Sequence, residues 1–217
     1  MIFLAIVESD GPEARAQALS ELLAASGLER LGFLGLGWLE SGKPFLKFND
    51  PQRAGYSLSK FRSGNKVSAV MALCSGHDIG VDAEIWPQPS DDPGFLASIA
   101  APEDQKAVEV LQDWGPDAAT ALWVIKEAAL KCCDEVAIDP RHVSVTPAKA
   151  GLWLVTPGRL AGRPFPPMTV QMVTLTGGAK PGREVLASVA VPIEKVSQIK
   201  VVTQGWNHAM LVTKHTY

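Results

Sequence analysis

Two short segments gather the residue types and spacings that can do chemistry. The first is Gly80-Val81-Asp82-Ala83-Glu84. Flanked by Ile79 and Ile85, it reads as a strand, where residues i and i+2 point to the same side. Asp82 and Glu84 therefore project together. Two carboxylates that close repel each other unless a cation or hydrogen-bond donors lie between them. An oxygen-only pair suits a hard divalent cation such as Mg²⁺, which leaves positions open for water and phosphate oxygens. The second segment is Trp123-Val124-Ile125-Lys126-Glu127-Ala128-Ala129-Leu130-Lys131, which reads as helix. Glu127 and Lys131 are i,i+4 in the favourable order, a pair worth only about 0.2–0.5 kcal/mol. Trp123 lies one turn earlier on the same side, which predicts a partly buried Glu127. Taken singly, each segment has a plainer reading: a solvated acidic strand face, and an amphipathic helix with a surface ion pair.

The elements that must position these residues follow from patterning. Residues 2–7 read as a strand. Asp10-Gly11-Pro12 opens a helix over 13–25, because proline suits the first helical position, and Gly27 fits its C-cap. Residues 31–39 and 45–48 read as a hairpin around Gly42-Lys43-Pro44. Residues 49–65 are polar and loop-like, with a short strand near 56–59. Residues 67–74 form a buried strand that pairs, through the turn Ser75-Gly76-His77-Asp78, with 79–84. Residues 87–93, rich in Pro and Asp, suit a linker. Helices follow at 95–99, at 102–111 and from Asp117 to about Cys133. Strands are expected at 143–145, 152–155, 169–176, 185–191 and 199–203, and a terminal strand or helix after 206. The fold class is α+β (α/β), in two halves, residues 1–85 and 86–217.

The 217 residues are 47% apolar, enough for a sizeable core and too many for a disordered chain. The net charge of −3 argues against broad nucleic-acid or membrane-surface binding, which needs a basic excess. Cys74, Cys132 and Cys133 are odd in number and include an adjacent pair, so they make no disulfide framework and point to a reducing compartment. No apolar run approaches membrane length, and the first ten residues lack a basic signal-like start, so a cytoplasmic protein is expected.

Together, Gly80, Val81, Asp82 and Glu84 on a strand and Trp123, Lys126, Glu127, Ala128 and Lys131 on a helix some forty residues later resemble the 4′-phosphopantetheinyl transferase superfamily. Its signature is G-[IV]-D-x-E followed by W-x-x-K-E-[AS]-x-x-K. The two-half organisation is similar to the surfactin-synthetase type, a single-chain pseudo-dimer of similar α/β halves with the active site at their interface. The resemblance implies that coenzyme A binds between the halves and that Asp82, Glu84 and Glu127 hold Mg²⁺. It implies catalytic work for Asp82, Glu127 and Lys131, and coenzyme A contacts from Lys43, Lys126 and Lys131. A serine of an apo acyl or peptidyl carrier protein would attack the β-phosphorus and acquire the phosphopantetheine arm, releasing 3′,5′-ADP, in a protein that works as a monomer. Where the family carries an S-H-S-like motif, the chain reads Tyr56-Ser57-Leu58-Ser59-Lys60-Phe61-Arg62, which implies Lys60 or Arg62 as the phosphate-binding cation in place of histidine. Typical members have a basic N-terminal stretch, whereas helix 13–25 offers only Arg15. Those two departures admit an alternative: a catalytically impaired paralogue that binds a carrier protein or a nucleotide.

Overall fold

The computed structural model describes residues 1–49, 54–63, 65–86, 94–113, 117–134, 138–158, 161, 165–177, 184–193, 195, 198–203 and 206–210. The expected linker at 87–93 and the end of the chain beyond Met210 lie outside them. β1 (Ile2–Val7) is apolar throughout and buried on both faces. α1 (Pro12–Ser26) begins on its proline and stops where Gly27, at φ 72°, donates its N–H to the Ala24 carbonyl. β2 (Phe33–Trp38) and β3 (Pro44–Phe48) form the expected antiparallel hairpin. β4 (Ala54–Ser63), β5 (Lys66–Ser75) and β6 (Gly80–Ile85) follow. Then come α2 (Phe95–Ile99), a 3₁₀ turn (Pro102–Asp104), α3 (Gln105–Gln112) and α4 (Ala118–Cys132). The last strands are β7 (Val143–Pro147), β8 (Leu152–Pro157), β9 (Met168–Gly177), β10 (Glu184–Pro192), β11 (Ile199–Val201) and β12 (Trp206–Met210). The fold is α+β. Among the described residues no helix is long and apolar enough to cross a membrane.

Two larger sheets carry the architecture. The first has the order β11-β1-β5-β4, the second β6-β10-β9-β8-β7. β12 joins the second by pairing with Val173–Gly177 of β9, beyond the stretch that β8 occupies. Alternation along β1 divides two cores. Phe3, Ala5 and Val7 pack with Leu19 and Leu22 of α1, while Ile2, Leu4 and Ile6 meet Val173, Leu175 and Val185 of the second sheet. A third core lies on the far side of that sheet, where Leu122, Ile125 and Ala129 of α4 cover Val170, Met172 and Leu186. The layers therefore run helix, sheet, sheet, helix.

Three expectations change. The stretch expected to be mostly loop holds β4, ten residues paired along their whole length with β5. It reads as polar because Ser57 and Ser59 lie inside, satisfied by hydrogen bonds. The 67–84 hairpin does not form. Both edges of β5 are taken, by β1 and β4, and β6 crosses to pair with β10. The division at 85/86 shifts for the same reason: β6 belongs to the sheet of the C-terminal strands, and β11 returns to pair in parallel with β1.

α4 is the pivot between sheet and cleft. Asp117 caps it, its side chain accepting the Thr120 N–H. Eleven of its fifteen residues are buried, the pattern of a helix packed on nearly all sides. The four that are not fully buried are Ala119, Trp123, Glu127 and Lys131, a single line at spacing four. Register against β6 is set by Gly80. A Cβ there would sit on the Ala128 carbonyl oxygen and the Cys132 amide nitrogen, both backbone atoms of α4. Gly80→Ala is therefore expected to cost about 1–3 kcal/mol through overpacking against groups that cannot turn away. A lowered urea midpoint would show it; an unchanged one would mean α4 does not rest on this glycine.

Candidate active site

β6 is an edge strand whose free side meets β4. The Val81 N–H donates to Ser57 Oγ at 3.0 Å, and this contact sets Asp82 beside Ser59. Asp82 is buried. Its Oδ1 accepts Ser59 Oγ at 2.7 Å and Lys131 Nζ at 2.5 Å. Its Oδ2 is buried with no hydrogen-bond partner. Ser188, directly opposite Asp82 in the β6–β10 pair, also holds a buried hydroxyl without a partner. Glu84 shares the face of Asp82, and Glu127 stands one turn before Lys131 on α4, both half-buried.

The electrostatics are those of excess negative charge. With all three carboxylates ionised and one ammonium among them, the group is two positive charges short. Burial raises the Asp82 carboxyl, against the pull of Lys131 and Ser59. Burial, then the charge of Asp82, pushes Glu84 up to about 7, with Lys131 opposing. Glu127 is raised by the same two causes in the same order. A buried, unpartnered carboxylate oxygen in an all-oxygen set fits a hard divalent cation. Among the described residues no three His, Cys, Asp or Glu side chains stand at metal-binding distances.

The β2–β3 hairpin closes one wall. Ser41 Oγ donates to Asp134 Oδ1, and Lys43 Nζ donates to the Cys132 carbonyl at 2.9 Å. A cation at the carbonyl end of α4 is favourably placed against the helix dipole. Between hairpin, β4 and α4 lies a cavity of about 170 Å³ lined by Ser41, Gly42, Lys43, Pro44, Ser57 and Lys131. Two of the expected phosphate-binding cations thus line one cleft beside the acids.

Residues 78–166, which hold Asp82, Glu84, Glu127 and Lys131, match the family model described as ACPS, 4′-phosphopantetheinyl transferase superfamily. Over this stretch the chain is similar to that superfamily. No curated protein matches it. Ser57, Ser59, the hairpin with Lys43 and the β10 strand opposite Asp82 all lie outside the matched stretch.

Three residues expected in the superfamily site stand elsewhere. Lys126 is wholly buried and points away from the cleft, because it sits about 100° round α4 from Glu127. Its ammonium lies 2.6 Å from Asp104 Oδ2 and donates to the Ile99 and Pro140 carbonyls. It cannot touch coenzyme A without leaving that pocket. Lys60 and Arg62 alternate with Ser59 and Phe61 along β4, so they project on the sheet face opposite Asp82. Lys60 instead pairs with Asp10 at 3.3 Å, and Arg15 meets the same carboxylate at 3.0 Å.

Sequence reasoning missed Ser59, Ser188 and Asp104. The Ser57-Leu58-Ser59 alternation was a usable signal for a strand with a polar inner face. Asp104 follows Ala101-Pro102 at the third position of a short helix, a capping pattern, and its carboxylate accepts the Ala101 and Val145 amides.

The raised Glu84 sets a pH dependence. Its folded pKa of about 7 exceeds the ordinary value of 4.5, so between these values the folded state holds more protons than the unfolded one. The stability of the metal-free protein therefore falls as pH rises through about 7. Melting curves in chelator at pH 6 and pH 8, for the wild type and Glu84→Gln, check the sign: the substitution should flatten the difference.

Proposed function

We propose that the protein transfers the 4′-phosphopantetheine arm of coenzyme A to a serine of an apo acyl or peptidyl carrier protein, with Mg²⁺ as cofactor. The match of residues 78–166 to the superfamily's model points to phosphopantetheinyl transfer in general. The observation that carries the finer reading is the buried, unpartnered Asp82 Oδ2 in a carboxylate that pairs with Lys131 and whose charge reaches both Glu84 and Glu127. These three carboxylates would hold the ion. When bound, it neutralises charge on the pyrophosphate and on the leaving 3′,5′-ADP. Lys131 and Lys43 face the cleft and would bind the phosphates. Glu127, raised by burial and by Asp82, is suited to accept the proton of the acceptor serine. The serine oxygen attacks the β-phosphorus, a new P–O bond forms, and the bond to the bridging oxygen of 3′,5′-ADP breaks.

A second reading keeps coenzyme A or carrier binding without transfer. It is favoured by one observation: Lys60 and Arg15, the cations nearest to the family's phosphate-binding positions, share Asp10. The deciding experiment incubates the protein with coenzyme A, Mg²⁺ and a panel of apo carrier proteins and weighs the carriers. A gain of one phosphopantetheine arm supports transfer. No gain on a panel that a known transferase modifies, together with a melting shift on adding coenzyme A and Mg²⁺, supports the second reading.

A further inference from the structure

We propose that Lys131 is an exchangeable counter-ion that couples cation binding to anion binding: in the metal-free protein its ammonium holds Asp82, and a divalent cation taken up by the carboxylates releases it into the adjoining cleft, where with Lys43 it binds a phosphate group. The inference rests on the cation site proposed above.

Three observations and one electrostatic argument carry it. Lys131 Nζ lies 2.5 Å from Asp82 Oδ1 and 3.4 Å from Ser59 Oγ, so the ammonium occupies one oxygen of the buried carboxylate. The other oxygen, Oδ2, is unpartnered, which gives an arriving cation a first ligand before the ammonium leaves. Two cations on one carboxylate repel across a few ångströms of poorly solvated space, and the singly charged one yields. The Lys131 side chain is 24% exposed and lines the 170 Å³ cavity with Ser41, Lys43 and Ser57. Its ammonium can therefore turn into that cavity by side-chain rotation, without moving α4.

The same cavity is lined by Lys43, anchored on the Cys132 carbonyl. With Lys131 on Asp82, Lys43 is the one cation lining the cleft that no described carboxylate neutralises; with Lys131 released there are two. A phosphate then binds more tightly when the metal is present, and by linkage the metal binds more tightly when phosphate is present, by the same factor. Lys131 is also the price of the metal-free state: the cation must displace it, so its removal strengthens cation binding when no anion is there.

Calorimetric titration of the full chain with Mg²⁺, with and without saturating inorganic phosphate at pH 8, tests this. The wild type should show phosphate strengthening Mg²⁺ binding by roughly 5–50-fold. Lys131→Met should bind Mg²⁺ about ten-fold more tightly than the wild type without phosphate, and its coupling factor should fall towards one. Lys131→Gln, which keeps a polar contact to Asp82 and Ser59, should behave likewise and covers the case in which Lys131→Met folds poorly. Mg²⁺–phosphate association in solution is common to all variants and cancels in the comparison. Weaker or unchanged Mg²⁺ binding in both variants, or wild-type coupling retained in both, overturns the proposal. A wild type that binds no Mg²⁺ overturns the cation site and the proposal together. A carrier panel left unmodified while the coupling behaves as stated would sink the transferase reading alone.

Discussion

On the proposed function, Asp82→Asn should lower the rate of carrier modification by about 10²–10³-fold, while the protein stays folded. The size follows from what the side chain does. It is the most buried of the three acids, and losing a group that would stabilise transition-state charge in a water-poor site costs about 10²–10³-fold. Asparagine keeps the shape and can still accept Ser59 Oγ, but it leaves Lys131 without its carboxylate. Lys131 is partly exposed and can turn to solvent, so the loss of the pair costs little stability. The substitution also relieves Glu84 and Glu127 of the charge that raises them after burial does. Mg²⁺-induced thermal stabilisation should vanish in this variant, and the pH dependence of its melting temperature should weaken. Mass spectrometry of the carrier and melting curves with and without Mg²⁺ are the two readouts. Wild-type transfer by Asp82→Asn would remove Asp82 from the chemistry altogether.

The largest stability effect belongs to Lys126. Lys126→Ala is expected to cost about 3–5 kcal/mol, because deleting one partner of a buried ion pair strands the other. Asp104 would keep two backbone amides, from Ala101 and Val145, and lose its only described cation. Burial already pushes the Lys126 ammonium down, with Asp104 as the main force holding it charged. In a chain of this size the melting temperature should fall by roughly 10 °C. A double-mutant cycle with Asp104→Asn should show the two losses to be strongly non-additive, since either change breaks the same contact. The kinetic signature separates this role from the one expected of a coenzyme A contact. A ligand contact would raise KM at constant melting temperature, whereas this clamp lowers the melting temperature first. The pair joins α4 to the turn before α3 and to β7, and so holds the helix that carries Glu127 and Lys131.

The acids of the site were legible because their relation is local. Asp82 and Glu84 share a face by the two-residue period of a strand, and Trp123, Glu127 and Lys131 share one by the four-residue spacing of a helix turn; both relations hold in the fold. The same is true of the Pro12 start and Gly27 end of α1 and of the hairpin around Gly42-Lys43-Pro44. The motif pairing itself was legible as a resemblance, and residues 78–166 match the superfamily's model.

The errors share a different origin. Lys126 is adjacent to Glu127 in sequence, yet whether the rest of the turn faces cleft or core depends on Asp104, Ile99 and Pro140, up to 27 residues away. Lys60 matched a motif position, but its face of β4 looks towards α1 and Asp10 rather than towards Asp82. β6 was assigned to its neighbour in sequence, β5, whose edges were already filled by strands on either side.

The sequence by itself determined most of the strands and helices, though not the length of β4, where α1 and α4 begin, and that two acids on a strand and an acid with a lysine on a helix each share a face, because all of these are set by spacing within a few residues. Only the tertiary structure decided that β6 pairs with β10 and lies against β4, that Gly80 admits α4 close enough to bring Glu127 and Lys131 to Asp82, and that Lys126 belongs to the core. These are long-range contacts, chosen by which edges, cavities and charges remain unsatisfied once the local elements have formed.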